Sequence, residues 1–255
     1  MPTRTFVIGD IHGALLALKQ LLLSLSLQPS DTLIFLGDYV DGWPDSVETI
    51  SFLIQLSKKQ PCIFLRGNHD LYCEQWLNTG TPDPSWLQNK GHQTLNSYQS
   101  FSPDIRRQHL HFFQDLLNFY VDDQHRLFVH GGYVSEQGPV YDNANNLCWD
   151  RSLWEQTLAA FKRQEASGPA RLRLFSEIYI GHTQTVASGS ERPMHLYNLW
   201  NVDTGAKSGL SVSALQLEDH SIHQSHHVRW HYPGSAKLKA QPGVVFNLAS
   251  YLNPR

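Results

Sequence analysis

Five short stretches of the sequence carry side chains that bind metals or move protons. They are Gly9-Asp10-Ile11-His12-Gly13, Gly37-Asp38-Tyr39-Val40-Asp41-Gly42, Arg66-Gly67-Asn68-His69-Asp70, His130-Gly131-Gly132 and Gly181-His182-Thr183. Taken singly, each has an ordinary explanation. An Asp after a Gly caps a turn or a helix, and a lone His at a strand end is a hydrogen-bonded polar residue. Taken together they resist that explanation, because caps do not call for imidazoles. Carboxylates, a carboxamide and imidazoles make up the mixed oxygen and nitrogen donor set that suits Mn, Fe or Zn. The chemistry expected is metal-assisted.

Such residues need elements to position them. Residues 5–8, 32–36 and 62–65 are short apolar runs that read as strands buried on both faces, and each ends at one of the polar stretches. Helical patterns at residues 14–25 and 45–58 separate them, so the strands are expected to be parallel with helical crossovers. In such sheets ligands gather at the carboxyl ends of the strands. Residues 71–117 are richer in Gln, Asn, Ser and Trp, with turn signals at 81–84 and 102–104. They read as an inserted helical region that could cover the site. Strands are expected again at 119–121, 127–129, 177–180, 196–202 and 211–217, with a helix over 150–164. After Glu218 periodicity fades, and a loosely packed strand or extension over 219–255 is expected.

Composition narrows the partners. The 255 residues are 41% hydrophobic and 17% charged, with a net charge of -3, which fits one large or two small globular domains. Lys and Arg are scattered and form no run longer than two, which argues against nucleic acid. The richest apolar run, residues 15–27, is broken by Lys19 and Gln20 and is too short for a bilayer, so no membrane association is expected. The N-terminus reaches Gly9 and Asp10 too soon for a signal-peptide core. Cys62, Cys73 and Cys148 show no CxxC spacing and read as reduced thiols, so the expected compartment is the cytoplasm.

In this order the motifs make the chain similar to the calcineurin-like metallophosphoesterases, and within them to the bacterial phosphoprotein phosphatase branch. The matches are GDIHG at 9–13, GDYVDG at 37–42, RGNHD at 66–70, HGG at 130–132 and GHT at 181–183, with WDR at 149–151 and DTG at 203–205. They span about residues 5–217. The resemblance implies an α/β fold: a β-sandwich of mixed sheets flanked by helices, forming a single domain. It also implies two divalent transition metal ions, with Mn first and Fe, Zn or Ni as alternatives. Asp10 and His12 would hold the first metal, Asp38 would bridge, and Asn68, His130 and His182 would complete the second. A hydroxide between the metals would attack phosphorus in line. His69 would protonate the departing oxygen, with Asp41 orienting its ring. The implied substrate is a phosphorylated protein or a small phosphoester.

The pattern departs from that branch at one place. Gly42 stands where an arginine that binds the substrate phosphate is expected, followed by Trp43. Arg151 of WDR matches a phosphate-contacting arginine, and Arg66 either contacts phosphate or pairs with the site carboxylates. Trp43 could offer an aromatic wall for flat leaving groups. The alternative substrate is a dinucleoside polyphosphate such as diadenosine tetraphosphate, with which the RGNHD ending is compatible. A non-catalytic phospho-ligand module is a remote third reading, against which every expected ligand is present. His92, His109, His111 and His125 read as exposed polar residues. The histidines of the tail, from His220 to His231, read as solvated. Oligomeric state is left open.

Overall fold

Alternation within short apolar runs decides the architecture. The computed structural model describes residues 3–233. Along them run β1 (Thr5–Ile8), β2 (Thr32–Phe35), β3 (Cys62–Phe64), β4 (Phe119–Val121), β5 (Leu127–Val129), β6 (Ile178–Ile180), β7 (Met194–Leu196), β8 (Leu199–Asn201), β9 (Ser213–Gln216) and β10 (Ile222–Gln224). They make two five-stranded sheets, ordered β10-β9-β1-β2-β3 and β4-β5-β6-β8-β7. β1, β2 and β3 are parallel neighbours, as the strand–helix–strand spacing predicts. β5, β6 and β8 form the parallel centre of the second sheet. Antiparallel strands close both sheets except at β3.

Helices α1 (Leu15–Ser24) and α2 (Ser46–Leu56) are the two crossovers. Between β3 and β4 come α3 (Asn68–Thr79), α4 (Pro84–Trp86), a kink at Leu87–Gly91 where Lys90 has a φ of 74°, α5 (His92–Ser97) and α6 (Pro103–Gln114). α7 (Ala144–Trp149) and α8 (Ser152–Lys162) follow β5, and α9 (Val228–His231) follows β10. The turn signal before α4 proves to be a helix start: Asp83 Oδ1 accepts from the Ser85 amide at 2.7 Å, with Pro84 in the first helical position.

Period-two alternation sorts the side chains into layers. Phe6, Ile8, Leu33 and Phe35 cluster with Leu18 and Leu21 of α1 and Ile50 and Leu53 of α2. Val7, Ile34 and Leu36 face the other way and meet Phe128, Tyr179 and Trp200 of the second sheet. Leu127, Val129, Ile178 and Ile180 turn from that interface toward Leu153 and Trp154 of α8. The result is helix, sheet, sheet, helix, with the polar ends of the parallel strands at one edge of the sandwich. No helix among the described residues is long and apolar enough to cross a membrane.

Four expectations need correction. The run 196–202 is a hairpin rather than one strand: the chain reverses after Leu196, where Tyr197 adopts a φ of 57°, and β7 pairs antiparallel with β8. Trp43 offers no wall to a substrate; it is buried, stacked on Tyr232 with ring centroids 5.3 Å apart, and its Nε1 donates to Ala206 O. His109 is fully buried, because its ring bridges Tyr98 Oη at 2.7 Å and Ser51 Oγ at 2.9 Å. Asn68 and His69 sit in the first turn of α3 rather than at a strand end. Of the tail histidines, His223 lies in β10 and His231 in α9; His226 and His231 contact Gln20, and His220 pairs with Glu177. The part of the expected extension beyond residue 233 lies outside the described residues.

Candidate metal centre and active cleft

The parallel strands stop short, and the turns that follow fold back over the sheet edge. Four of the ten described non-glycine residues with positive φ are here: His12 (54°), Asp38 (55°), Asp41 (69°) and His182 (62°). Left-handed backbone at a histidine is costly and persists only where surroundings hold it. Two glycines let these turns touch. A Cβ on Gly67 would run into Asp38 Oδ1, and one on Gly181 into Asp10 Oδ1. The glycines of RGN and GHT are therefore there for close approach.

Asp10, His12, Asp38, Asn68, His130 and His182 are all buried and converge. His12 Nε2 is 3.6 Å from Asp10 Oδ2 and 3.5 Å from Asp38 Oδ2. His130 Nε2 is 3.4 Å from Asp38 Oδ1 and 3.3 Å from Asn68 Oδ1. Two compact donor groups result: His12, Asp38 and His69, and Asp38, His130 and His182, with Asp38 common to both. The tautomers suit a cation. His12 Nδ1 faces Val40 O at 3.1 Å and His130 Nδ1 faces Leu36 O at 2.8 Å. A carbonyl can only accept, so the protons sit on Nδ1 and the Nε2 lone pairs point inward. His182 Nε2 is buried with no hydrogen-bond partner, a costly state unless something else occupies it. These residues fit a pair of cations sharing Asp38.

The electrostatics agree. Burial pushes the Asp38 carboxyl up, but His130, His69 and His12 outweigh it and hold Asp38 well below the usual range. Burial likewise works against charge on His130, yet Asp38 and Asp10 raise it to about 10. Burial and the neighbouring His130 and Arg151 drive His182 down to about 2. The carboxylates around His130 draw a proton onto its Nε2, so the centre is negative, and a cation bound there would take that proton's place.

The His69 side is built differently. His69 Nδ1 donates to Asp41 Oδ2 at 2.5 Å. The same oxygen accepts from Trp86 Nε1 at 2.6 Å, and Asp41 Oδ1 accepts from the Thr94 hydroxyl at 2.5 Å. Both donors come from the inserted helices, so the insert reaches beneath the cleft and fixes the carboxylate that fixes His69. On its far nitrogen, Nε2, His69 accepts from Lys207 Nζ at 2.8 Å, and Lys207 also donates to Asn89 Oδ1 at 2.9 Å.

The cleft encloses about 310 Å³ and is lined by His12, Asp38, Asn68, His69, Arg151 and Lys207 among others. Arg151 donates weakly to His182 O at 3.5 Å and Thr183 Oγ1 at 3.3 Å. Arg66 is not brought in: its guanidinium pairs with Glu74 at 3.3 Å and donates to Phe113 O at 2.9 Å. Across Asn68 and Trp149 a second cavity of about 430 Å³ opens, lined by Tyr72, Gln75, Asn145 and Asn146. Sequence reasoning missed Trp86, Thr94, Asn89 and Lys207. It also missed Asp70, which accepts from the amides of Gly67, Asp38 and Tyr39 at 2.8–2.9 Å. Its place at the end of RGNHD was a usable signal; the others had none.

A family model described as calcineurin-like phosphoesterase matches residues 3–204. Among curated relatives, a symmetrical bis(5'-nucleosyl)-tetraphosphatase of Pectobacterium atrosepticum is 41% identical over 69 residues, 27% of this chain and 24% of that enzyme. The match thus spans about a quarter of the relative's length. Among solved structures, one described as a candidate diadenosine tetraphosphatase superposes with a TM-score of 0.60 at 18% identity, over 87% of this chain and 92% of the other. A protein serine/threonine phosphatase of Saccharomyces cerevisiae gives 0.57 at 17% identity, over 88% and 80%. At such identities the structures speak for the fold alone.

Proposed function

Because the chain belongs to the calcineurin-like phosphoesterase family, we propose that it hydrolyses phosphate monoesters, with phosphorylated Ser, Thr or Tyr side chains of proteins as substrate. One observation carries this reading. A single cleft holds converging Asp, Asn and His donors, with Nε2 lone pairs turned inward, directly beside a buried His69–Asp41 pair.

Asp10 and His12 would hold one divalent cation, Asn68, His130 and His182 the other, with Asp38 common to both. When bound, such a pair supplies an activated water and neutralises phosphoryl charge. Manganese is the first choice for this donor set, and Fe, Zn or Ni the alternatives. The protein's own groups do the rest. Arg151 has donors free to grip phosphoryl oxygens in a forked arrangement. His69 delivers a proton to the departing oxygen, and Asp41, held by Trp86 and Thr94, keeps the ring aimed and stabilises its charge. The free thiols fit a reducing compartment, and we place the protein in the cytoplasm.

The open second cavity carries no Lys or Arg in its lining, which suits a peptide flank better than a chain of phosphates. The second reading, cleavage of diadenosine tetraphosphate, is favoured by the local match to the tetraphosphatase. The test is a panel of phosphoserine peptide, phosphotyrosine peptide and diadenosine tetraphosphate with Mn²⁺-loaded protein. Phosphate release from a peptide is the expected result. ADP from the dinucleotide, with the peptides untouched, would replace the first reading by the second.

A further inference from the structure

The two residues that depart from the family pattern, Gly42 and Trp43, both touch the turn that carries Lys207. Lys207 sits in a single helical turn, Ala206–Ser208, between Gly205 and Gly209. Trp43 Nε1 donates to Ala206 O at 2.8 Å and so anchors that turn from below. Gly42 leaves room above it. A Cβ at 42 would lie 3.2 Å from His12 Cβ and 3.6 Å from Lys207 Cγ, at a φ of +102° that side chains rarely adopt. A side chain at 42 would meet His12 first and lie against the stem of Lys207.

Its ammonium ends in the cleft. Both partners of Nζ, His69 Nε2 and Asn89 Oδ1, are uncharged acceptors, so these contacts leave its charge unneutralised. Arg151, on the His182 side, likewise meets only a carbonyl and a hydroxyl. Two such cations lining one cleft make a receptor for a dianion.

We propose that Lys207 is a substrate-phosphate contact, its Nζ gripping a phosphoryl oxygen on the His69 side of the cleft while Arg151 grips from the His182 side. Gly42 and Trp43 are then the residues that make room for this lysine and hold its turn. The bond from Nζ to His69 Nε2 is the one that substrate replaces, and Nε2, which accepts in that bond, must take up a proton from solvent before it can give one to the departing oxygen. The assignment rests on the phosphoesterase reading above.

The test uses Mn²⁺-loaded protein, with inorganic phosphate as probe, in the Lys207→Met, Lys207→Ala and Lys207→Arg variants. Met keeps the stem that lies over Gly42, which separates loss of charge from loss of packing. Phosphate binding, read by titration calorimetry and by competitive inhibition of p-nitrophenyl phosphate hydrolysis, should weaken about tenfold or more in the Met and Ala variants. The Arg variant should stay within about threefold of wild type, and metal content should not change in any. Wild-type phosphate affinity in the Met variant would overturn the assignment, as would an Arg variant as weak as Met. If the wild type hydrolyses no phosphoester, the reading beneath fails instead, and calorimetry still reports whether Lys207 meets phosphate.

Discussion

The donor cluster and the His69 dyad share one cleft but are held by different means. Asp10, His12, Asp38, His130 and His182 follow strands whose ladders fix them, and their rings are set by backbone carbonyls such as Val40 O and Leu36 O. His69 and Asp41 depend instead on side chains of the inserted helices, Trp86 and Thr94, and on Lys207 from a distant turn. Strand ends cannot move without breaking a sheet. The inserted helices lie outside that sheet, so the support of the His69–Asp41 pair is separate from that of the donor cluster.

That contrast can be broken at four points. Asp38→Ala removes the donor common to both groups. It should lower turnover by about 10³-fold or more and lower metal content by elemental analysis; full metal loading would show that the two groups do not depend on Asp38. His69→Asn should cost about 10²–10⁴ in turnover on an alkyl phosphate and clearly less on an aryl phosphate, whose leaving group needs little protonation. Metal content should hold, and equal losses on both esters would remove His69 from the role. Trp86→Phe deletes one donor to Asp41, and about a tenfold loss on the alkyl ester is expected. A loss of metal in that variant would tie the two halves together after all.

The fourth effect falls on stability alone. Burial holds the His109 ring down to about 4 from an ordinary 6.5. Between those pH values the unfolded chain binds a proton that the folded chain refuses. Stability is thus full above about pH 6.5 and falls as pH drops toward 4, by up to about 3 kcal/mol. Melting curves of His109→Gln should flatten over that window, while turnover near neutral pH stays as in wild type.

The same divide explains what the sequence disclosed. Strand ends announce themselves: an apolar run followed by Gly-Asp or Gly-His joins local pattern to chemistry, and residues 5–8, 32–36, 127–129 and 177–180 lie in the two sheets accordingly. The crossovers at 14–25 and 45–58 also match α1 and α2 within two residues at each end. Partners brought by tertiary contact leave no such trace. Trp86 and Thr94 are 45 and 53 residues from Asp41, and Lys207 is 138 from His69. Nothing in a helical insert marks one tryptophan as a hydrogen-bond donor to a distant carboxylate. Arg66 failed for the opposite reason: its motif neighbours point inward, but helix α3 turns Glu74 toward it and Phe113 O completes the hold. At the reversal after Leu196 the turn former Asn198 is the one local signal, and the apolar residues on both sides of it read as a continuous strand.

Asp70 sets a condition of a different kind. Its two oxygens collect amide hydrogens from Asp38, Tyr39 and Gly67, so one short side chain spans the gap between the loop after β2 and the entry to α3. Its reach is the gauge of how near those segments lie. A glutamate would be one methylene too long for the gap and would wedge the loops apart, lifting Asp38 from His130. An asparagine would keep the length but present amide hydrogens where an acceptor is needed. Evolution at this position is therefore limited by a ruler as much as by a charge.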